Sequence, residues 1–174
     1  MSRLLRHRFQ VQRLTGTRFA RPADAVAHLT AVQSQDYAGA KWSLGQRVKG
    51  ATDASIDRAF NEGRFLRTHV LRPTWHFVLP DDIRWLLALT APHIHRLNSY
   101  QERKLELDAR ILSRTGRIIE RALAGGHFLT RDQLAARLEA EGIVASGTRL
   151  AYVMMHAELT ALVASGPLAG KQQT

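Results

Sequence analysis

Apolar side chains recur with a helical period over Leu4, Leu5, Phe9, Val11 and Leu14, predicting a first short helix that ends near Thr15-Gly16. Pro22 opens a second helix whose stripe of Val26, Ala27, Leu29 and Val32 runs to about Gln35. A third is predicted over Tyr37 to Val48 with Trp42 and Leu44 facing inward, and Gly50 stops it. Thr52 or Asp53 caps a fourth helix over Ile56, Ala59 and Phe60, closed by Asn61-Glu62-Gly63. The period then shortens to two. Phe65 to Val70 and Trp75 to Leu79 read as strands joined through Leu71-Arg72-Pro73-Thr74, where Pro73 forces a turn. Helices followed by a basic hairpin is the order of a winged helix, a helix-turn-helix variant with a two-stranded β element.

Pro80-Asp81-Asp82 starts a further helix over Ile83, Leu86, Leu87 and Leu89, which Pro92 is expected to interrupt, and the polar stretch Asn98 to Asp108 reads as a solvated helical connector. Helices then follow at Ile111 to Leu123, closed by Gly125-Gly126, at Arg131 to Glu141 under a Thr130 cap, and at Ser146 to Leu159 with Met154-Met155 in its core face. Thr160 to Ser165 reads as the first strand of a second wing whose returning strand is missing, so the second module is expected to be truncated. The expected fold class is mainly α with short β-hairpins, an α+β arrangement of tandem winged helix-turn-helix modules, the second incomplete. The boundaries are 1–88 for the first module, 89–109 for the connector and 110–174 for the second module.

Composition narrows the chemistry. The chain has 174 residues, 45% of them hydrophobic, enough for one or two small cores. It has no cysteine, which excludes disulfides, thiolate catalysis and cysteine-based metal sites, and favours a reducing cytoplasm. Formal charge is +10, and a polyanion is the partner such a field recruits. Residues 1–87 carry 14 Lys/Arg against 7 Asp/Glu, and residues 88–174 carry 11 against 8, so the amino-terminal half holds the stronger field. Arg3, Arg6, Arg8, Arg13, Arg18 and Arg21 precede the first acid, and this segment either lies along a phosphate backbone or is a solvated basic face. No apolar run reaches the length of a membrane span, and no signal-peptide core is present. The expected partner is double-stranded DNA, with no membrane, no metal, no cofactor, a monomeric state and a cytoplasmic, nucleoid-associated location.

The candidate chemistry centres on Gln33-Ser34-Gln35, two amides two residues apart that either orient a water or a base edge or cap a helix end. Asp36 next to them reads as a helix cap or surface acid. In Trp75-His76 the strand alternation sends one residue inward. Basic wing residues contact phosphates or the minor groove, making Arg67 and Arg72 the preferred DNA contacts, with His76, Lys41 and Arg47 as further candidates. Arg149 is either a DNA contact or part of a solvated face. His93 and His95 lack a visible third ligand and read as helix surface.

Val32-Gln33-Ser34-Gln35-Asp36, Leu44-Gly45-Gln46-Arg47, Leu71-Arg72-Pro73-Thr74-Trp75-His76-Phe77-Val78 and Ser165-Gly166 before Gly170-Lys171-Gln172 together resemble the winged-helix DNA-binding family that includes the AlkZ-like DNA glycosylases. The resemblance spans essentially the whole chain, in order and spacing. It implies tandem winged helices in a longer protein, with a third and a β-rich part beyond residue 174. It also implies a catalytic Gln-x-Gln pair falling on Gln33 and Gln35, with Ser34 where the family has an aliphatic residue. The activity it implies is hydrolysis of the N-glycosidic bond of alkylated bases, or unhooking of crosslinks. A non-catalytic DNA-binding protein, or an inactive fragment, is the alternative.

Overall fold

In the computed structural model, residues 2–170 and 172–174 are described, and the chain divides into two compact units. The first comprises residues 1–67 and 75–83, the second residues 68–74 and 84–174. Residues 68–74 of the hairpin and the whole stretch 89–109 fall in the second unit.

The first unit begins with α1 (Arg3–Val11), capped by the Ser2 hydroxyl, and α2 (Pro22–Leu29), which has Pro22 at its first turn. The expected continuation of α2 to Gln35 does not form. Thr30 takes φ 65° and ends the helix, and Ala31–Gln33 become β1. The apolar stripe that read as helical, through Val32, fits an alternating strand equally well over so short a span, and pairing with a partner strand decides it. The chain then forms α3 (Tyr37–Gly45), α4 (Asp53–Asn61), β2 (Leu66–His69) and β3 (Trp75–Val78). Thr52 and Ser55 close a capping box on α4. The sheet order is β1-β3-β2, and β1 runs antiparallel to β3 with Ala31 opposite Val78, Val32 opposite Phe77 and Gln33 opposite His76.

The core of this unit is aromatic. Phe77 lies 4.9 Å from Phe65, 5.7 Å from Tyr37 and 6.0 Å from Phe60 by ring centroids, and Leu44, Val26 and Ile56 complete the apolar interior. Trp42, expected inward, is 71% exposed. Ala40 and Leu44 set the buried side of α3, and Trp42 lies about 200° around the helix from Ala40. The inner position beside them goes to Lys41, whose ammonium meets Asp53 at 2.8 Å and Asp57 at 2.9 Å on α4.

The second unit holds α5 (Ile83–Lys104), α6 (Ala109–Leu123), α7 (Arg131–Ala140), α8 (Gly147–Leu159) and a small hairpin of β4 (Leu168–Ala169) and β5 (Gln172–Gln173). Pro92 does not interrupt α5. The bond a proline withholds is the one to the carbonyl four residues earlier, here exposed Ala88, which water serves. Asp108 and Thr130 cap α6 and α7. Thr160 to Ser165 is not a strand: Ala161 adopts φ 58° after α8, and the hairpin forms later, with Leu168 opposite Gln173. Leu112, Ile118, Ile119, Leu134, Leu138, Val153 and Met154 fill one core, and Met155 of α8 is buried as well. At its edge, His69 donates its backbone N–H at 2.8 Å to the Glu158 carboxylate, whose same oxygen lies 2.6 Å from Nδ1 of the ring, both side chains being 4% exposed.

Phe77→Ala empties the centre of the aromatic cluster and is expected to cost about 3–5 kcal/mol, read as a fall in the urea unfolding midpoint with little change in slope.

Candidate active site

The antiparallel register sets Val32 and Gln33 on opposite faces of the sheet. Burial keeps alternating just past the end of β1: Val32 and Ser34 are buried, while Gln33 and Gln35 are exposed. Backbone bonds hold the segment. Ser34 N–H donates to the Trp75 carbonyl at 2.7 Å, and the Trp75 N–H donates to Gln35 Oε1 at 3.3 Å. Directly opposed residues of such a pair have Cβ atoms about 5 Å apart, so His76 flanks Gln33. Arg67 fixes the other side of the turn. Its Nε and Nη2 donate to the Ser34 carbonyl at 3.1 and 3.0 Å, and its guanidinium sits 4.3 Å over the Trp75 ring. The Ser34 hydroxyl is buried with no hydrogen-bond partner. Asp36 precedes α3 at its N-cap position without a side-chain capping bond.

Four of the five side chains read as DNA contacts are used inside the protein. Arg67 is 6% exposed and His76 4%. Arg47 donates to the Gln12 carbonyl at 2.8 Å and to the Ser43 carbonyl at 2.7 Å, which ties the end of α1 to α3, and burial lowers its pKa. Lys41 is pulled down by burial, but its hydrogen bonds to Asp53 and Asp57 outweigh that and leave its pKa raised. The Tyr37 hydroxyl donates to Asp57 at 2.9 Å, and burial followed by this bond pushes its pKa above the usual range. A buried cation spent on such partners has no donors to offer a phosphate. Arg72, in the turn after β2 where Leu71 has φ 67°, is exposed. So are Arg3, Arg6 and Arg8 on α1, a helix that buries none of its residues.

A cleft of about 500 Å³ opens between α3 and α4, with Trp42, Gln46 and Thr52 among its lining residues. Sequence pattern assigned Trp42 to the core and so missed it as a surface aromatic.

A family model described as "DNA glycosylase AlkZ-like" matches residues 26–174, a stretch that includes the glutamine pair, the sheet and all of the second unit. The chain belongs to the AlkZ-like DNA glycosylase family. Its fold is similar to that of Streptomyces sahachiroi DNA glycosylase AlkZ, with a TM-score of 0.78 at 22% identity over 95% of this chain and 46% of that one. The chain thus spans a little under half the length of that glycosylase. A search of curated proteins found no match.

Within this AlkZ-like chain the second unit gathers a group that sequence spacing did not show. His95 and Glu102, seven residues apart on α5, meet His156 of α8, and one ligand atom from each lies within 4.8 Å of the others. All three are half-buried. Burial raises the Glu102 pKa against a smaller opposing effect of His95, and burial, then His95, lowers that of His156. His93, the neighbour read together with His95, is exposed and stands outside the group. The i, i+7 spacing of His95 and Glu102 was legible as a shared helix face, but the third member is 54 residues further on.

The buried Ser34 hydroxyl finds no hydrogen-bond partner among the described residues. Ser34→Ala is expected to raise stability by up to about 1 kcal/mol, whereas Arg67→Ala, which uncaps the Ser34 carbonyl and the Trp75 ring, is expected to lower it by about 2–3 kcal/mol; thermal melting of both variants checks the opposite signs.

Proposed function

We propose that this chain is the base-excising part of a DNA glycosylase, built as tandem winged helices and acting on alkylated or crosslinked double-stranded DNA. The observation that supports the reading is that Gln33 and Gln35 are both exposed while Ser34 between them is buried. Family membership supports the reaction class. The first module is α2 to α4 with the β2–β3 hairpin as its wing, and the second is α6 to α8 with β4–β5.

Alkylation at N7 puts positive charge on a purine, so the base is already a good leaving group and the barrier lies in forming an oxocarbenium-like sugar. Water attacks C1′ and the C1′–N bond breaks. The bonding pair departs with the base, neutralising it, and the proton of the attacking water passes to solvent. Two amide carbonyls hold that water and face the developing sugar cation with fixed dipoles, without a titrating group. Asp36 stands one residue outside the pair. Arg72 is the wing cation left exposed for phosphate contact, and Arg3, Arg6 and Arg8 extend the basic surface of α1. In this reading Arg67 and His76 act by positioning: Arg67 holds the Ser34 carbonyl, and His76 stands opposite Gln33. The protein works as a monomer in the cytoplasm at the nucleoid, and it needs no cofactor.

The bond from Trp75 N–H to Gln35 favours a second reading, in which the glutamines brace the sheet of a non-catalytic DNA-binding protein. At 3.3 Å that bond is at the long end of the range and occupies only one lone pair of the amide oxygen.

Incubation with duplex DNA carrying one N7-alkylguanine, followed by cleavage at abasic sites, separates the two. The glycosylase reading expects product from the chain and a loss of about 10²–10³ in rate for Gln33→Ala or Gln35→Ala, with melting temperature and duplex affinity retained. Duplex binding that weakens with salt and no product from the unsubstituted chain overturns it in favour of the binder.

A further inference from the structure

From the second unit we infer a binding site for a divalent transition-metal ion of the zinc class, formed by His95 and Glu102 of α5 and His156 of α8. Two imidazoles and a carboxylate are a donor set that borderline ions such as Zn²⁺ and Co²⁺ take, with a fourth position left for water.

The helices place the donors for this. Seven residues on one α-helix is two turns, a rise of about 10.5 Å, and helical side chains lean toward the amino terminus. The carboxylate of Glu102 therefore reaches back toward His95, and His156 enters from α8 between them. The two helices are locked in register beside the site, because buried Asn98, one turn after His95, donates its side-chain N–H to the sulfur of Met155, the neighbour of His156, at 3.0 Å.

Three ligand atoms no more than 4.8 Å apart leave a central point at most about 2.8 Å from each, so side-chain shifts of under about 1 Å bring them to metal–ligand distances near 2.1 Å. The arrangement is not explained by bonds within the group. No hydrogen bond joins the three side chains among the described residues, the His95 and His156 rings lie tilted at 59° with centroids 5.2 Å apart, and His156 Nδ1 is buried with no partner. A buried imidazole nitrogen left unsatisfied carries a desolvation cost that a bound metal ion beside the rings, or the water it brings, offsets. The ion clamps α5 to α8 within the second unit. This inference is independent of the glycosylase reading.

The test is titration of the tag-free, metal-free chain with Co²⁺, following its visible ligand-field bands, and then with Zn²⁺ in competition. One equivalent is expected to bind, Zn²⁺ is expected to displace the Co²⁺ spectrum, and Zn²⁺ is expected to raise the melting temperature. His156→Ala and Glu102→Gln are each expected to weaken binding at least tenfold and to abolish the metal-dependent rise in melting temperature, while His93→Ala leaves both intact. Melting each variant with and without metal separates a lost site from a weakened fold. Binding unchanged in His156→Ala and Glu102→Gln, no bound Co²⁺ at all, or equal stabilisation by Mg²⁺, which prefers oxygen ligands, overturns the inference.

Discussion

In an antiparallel ladder a shift of one residue turns every side chain to the opposite face, so the pairing of β1 with β3 governs the first unit. Val32 opposite Phe77 sends both into the aromatic core, where Phe77 touches Tyr37, Phe60 and Phe65. The same register turns Gln33 to the other face, and just past the end of β1 Ser34 is buried while Gln35 is exposed. The hydrophobic gain of burying Val32 and Phe77 thus anchors the strand from which the glutamine segment leaves.

Cations hold much of this frame together. Arg67 braces the Ser34 carbonyl against the Trp75 ring, Arg47 ties Gln12 to Ser43, and Lys41 links α3 to Asp53 and Asp57 of α4. Guanidinium suits this use, since its planar fork bonds a carbonyl and stacks on an aromatic at once. A formal charge of +10 therefore overstates the field available to a polyanion near these residues. What the surface offers instead comes from α1 and from the turn that carries Arg72.

The second unit follows the same rule of pairing what is buried. Buried Glu158 accepts from the His69 backbone N–H at 2.8 Å and lies 2.6 Å from its Nδ1, and buried Asn98 donates to the sulfur of Met155. The group of His95, Glu102 and His156 differs, with three polar side chains drawn close and no hydrogen bond among them.

Much was legible in the chain itself. Capping residues at Thr52 and Thr130, glycines at 125 and 126 with positive φ, and the period of two through Phe65 and Phe77 marked elements that the structure contains, because each depends on local backbone sterics or on capping bonds between near neighbours. The motif blocks around Gln33, Gln35 and Arg72 to Phe77 pointed to the family to which the chain belongs. Local pattern failed where distant partners decided. Val32 fits a helical stripe or a strand until β3 is beside it, and Lys41 and Arg67 look like surface cations until Asp57 and the Ser34 carbonyl meet them. Trp42 and Lys41 exchange outside for inside because Ala40 and Leu44 set the buried side of α3 and Asp53 and Asp57 meet the lysine there. His156 joins His95 only through helix packing, and Glu158 meets His69 across 89 residues of chain. Periodicity reports the solvent preference of each residue in isolation, whereas burial of a charge or an amide is settled by which partner the fold brings within bonding distance.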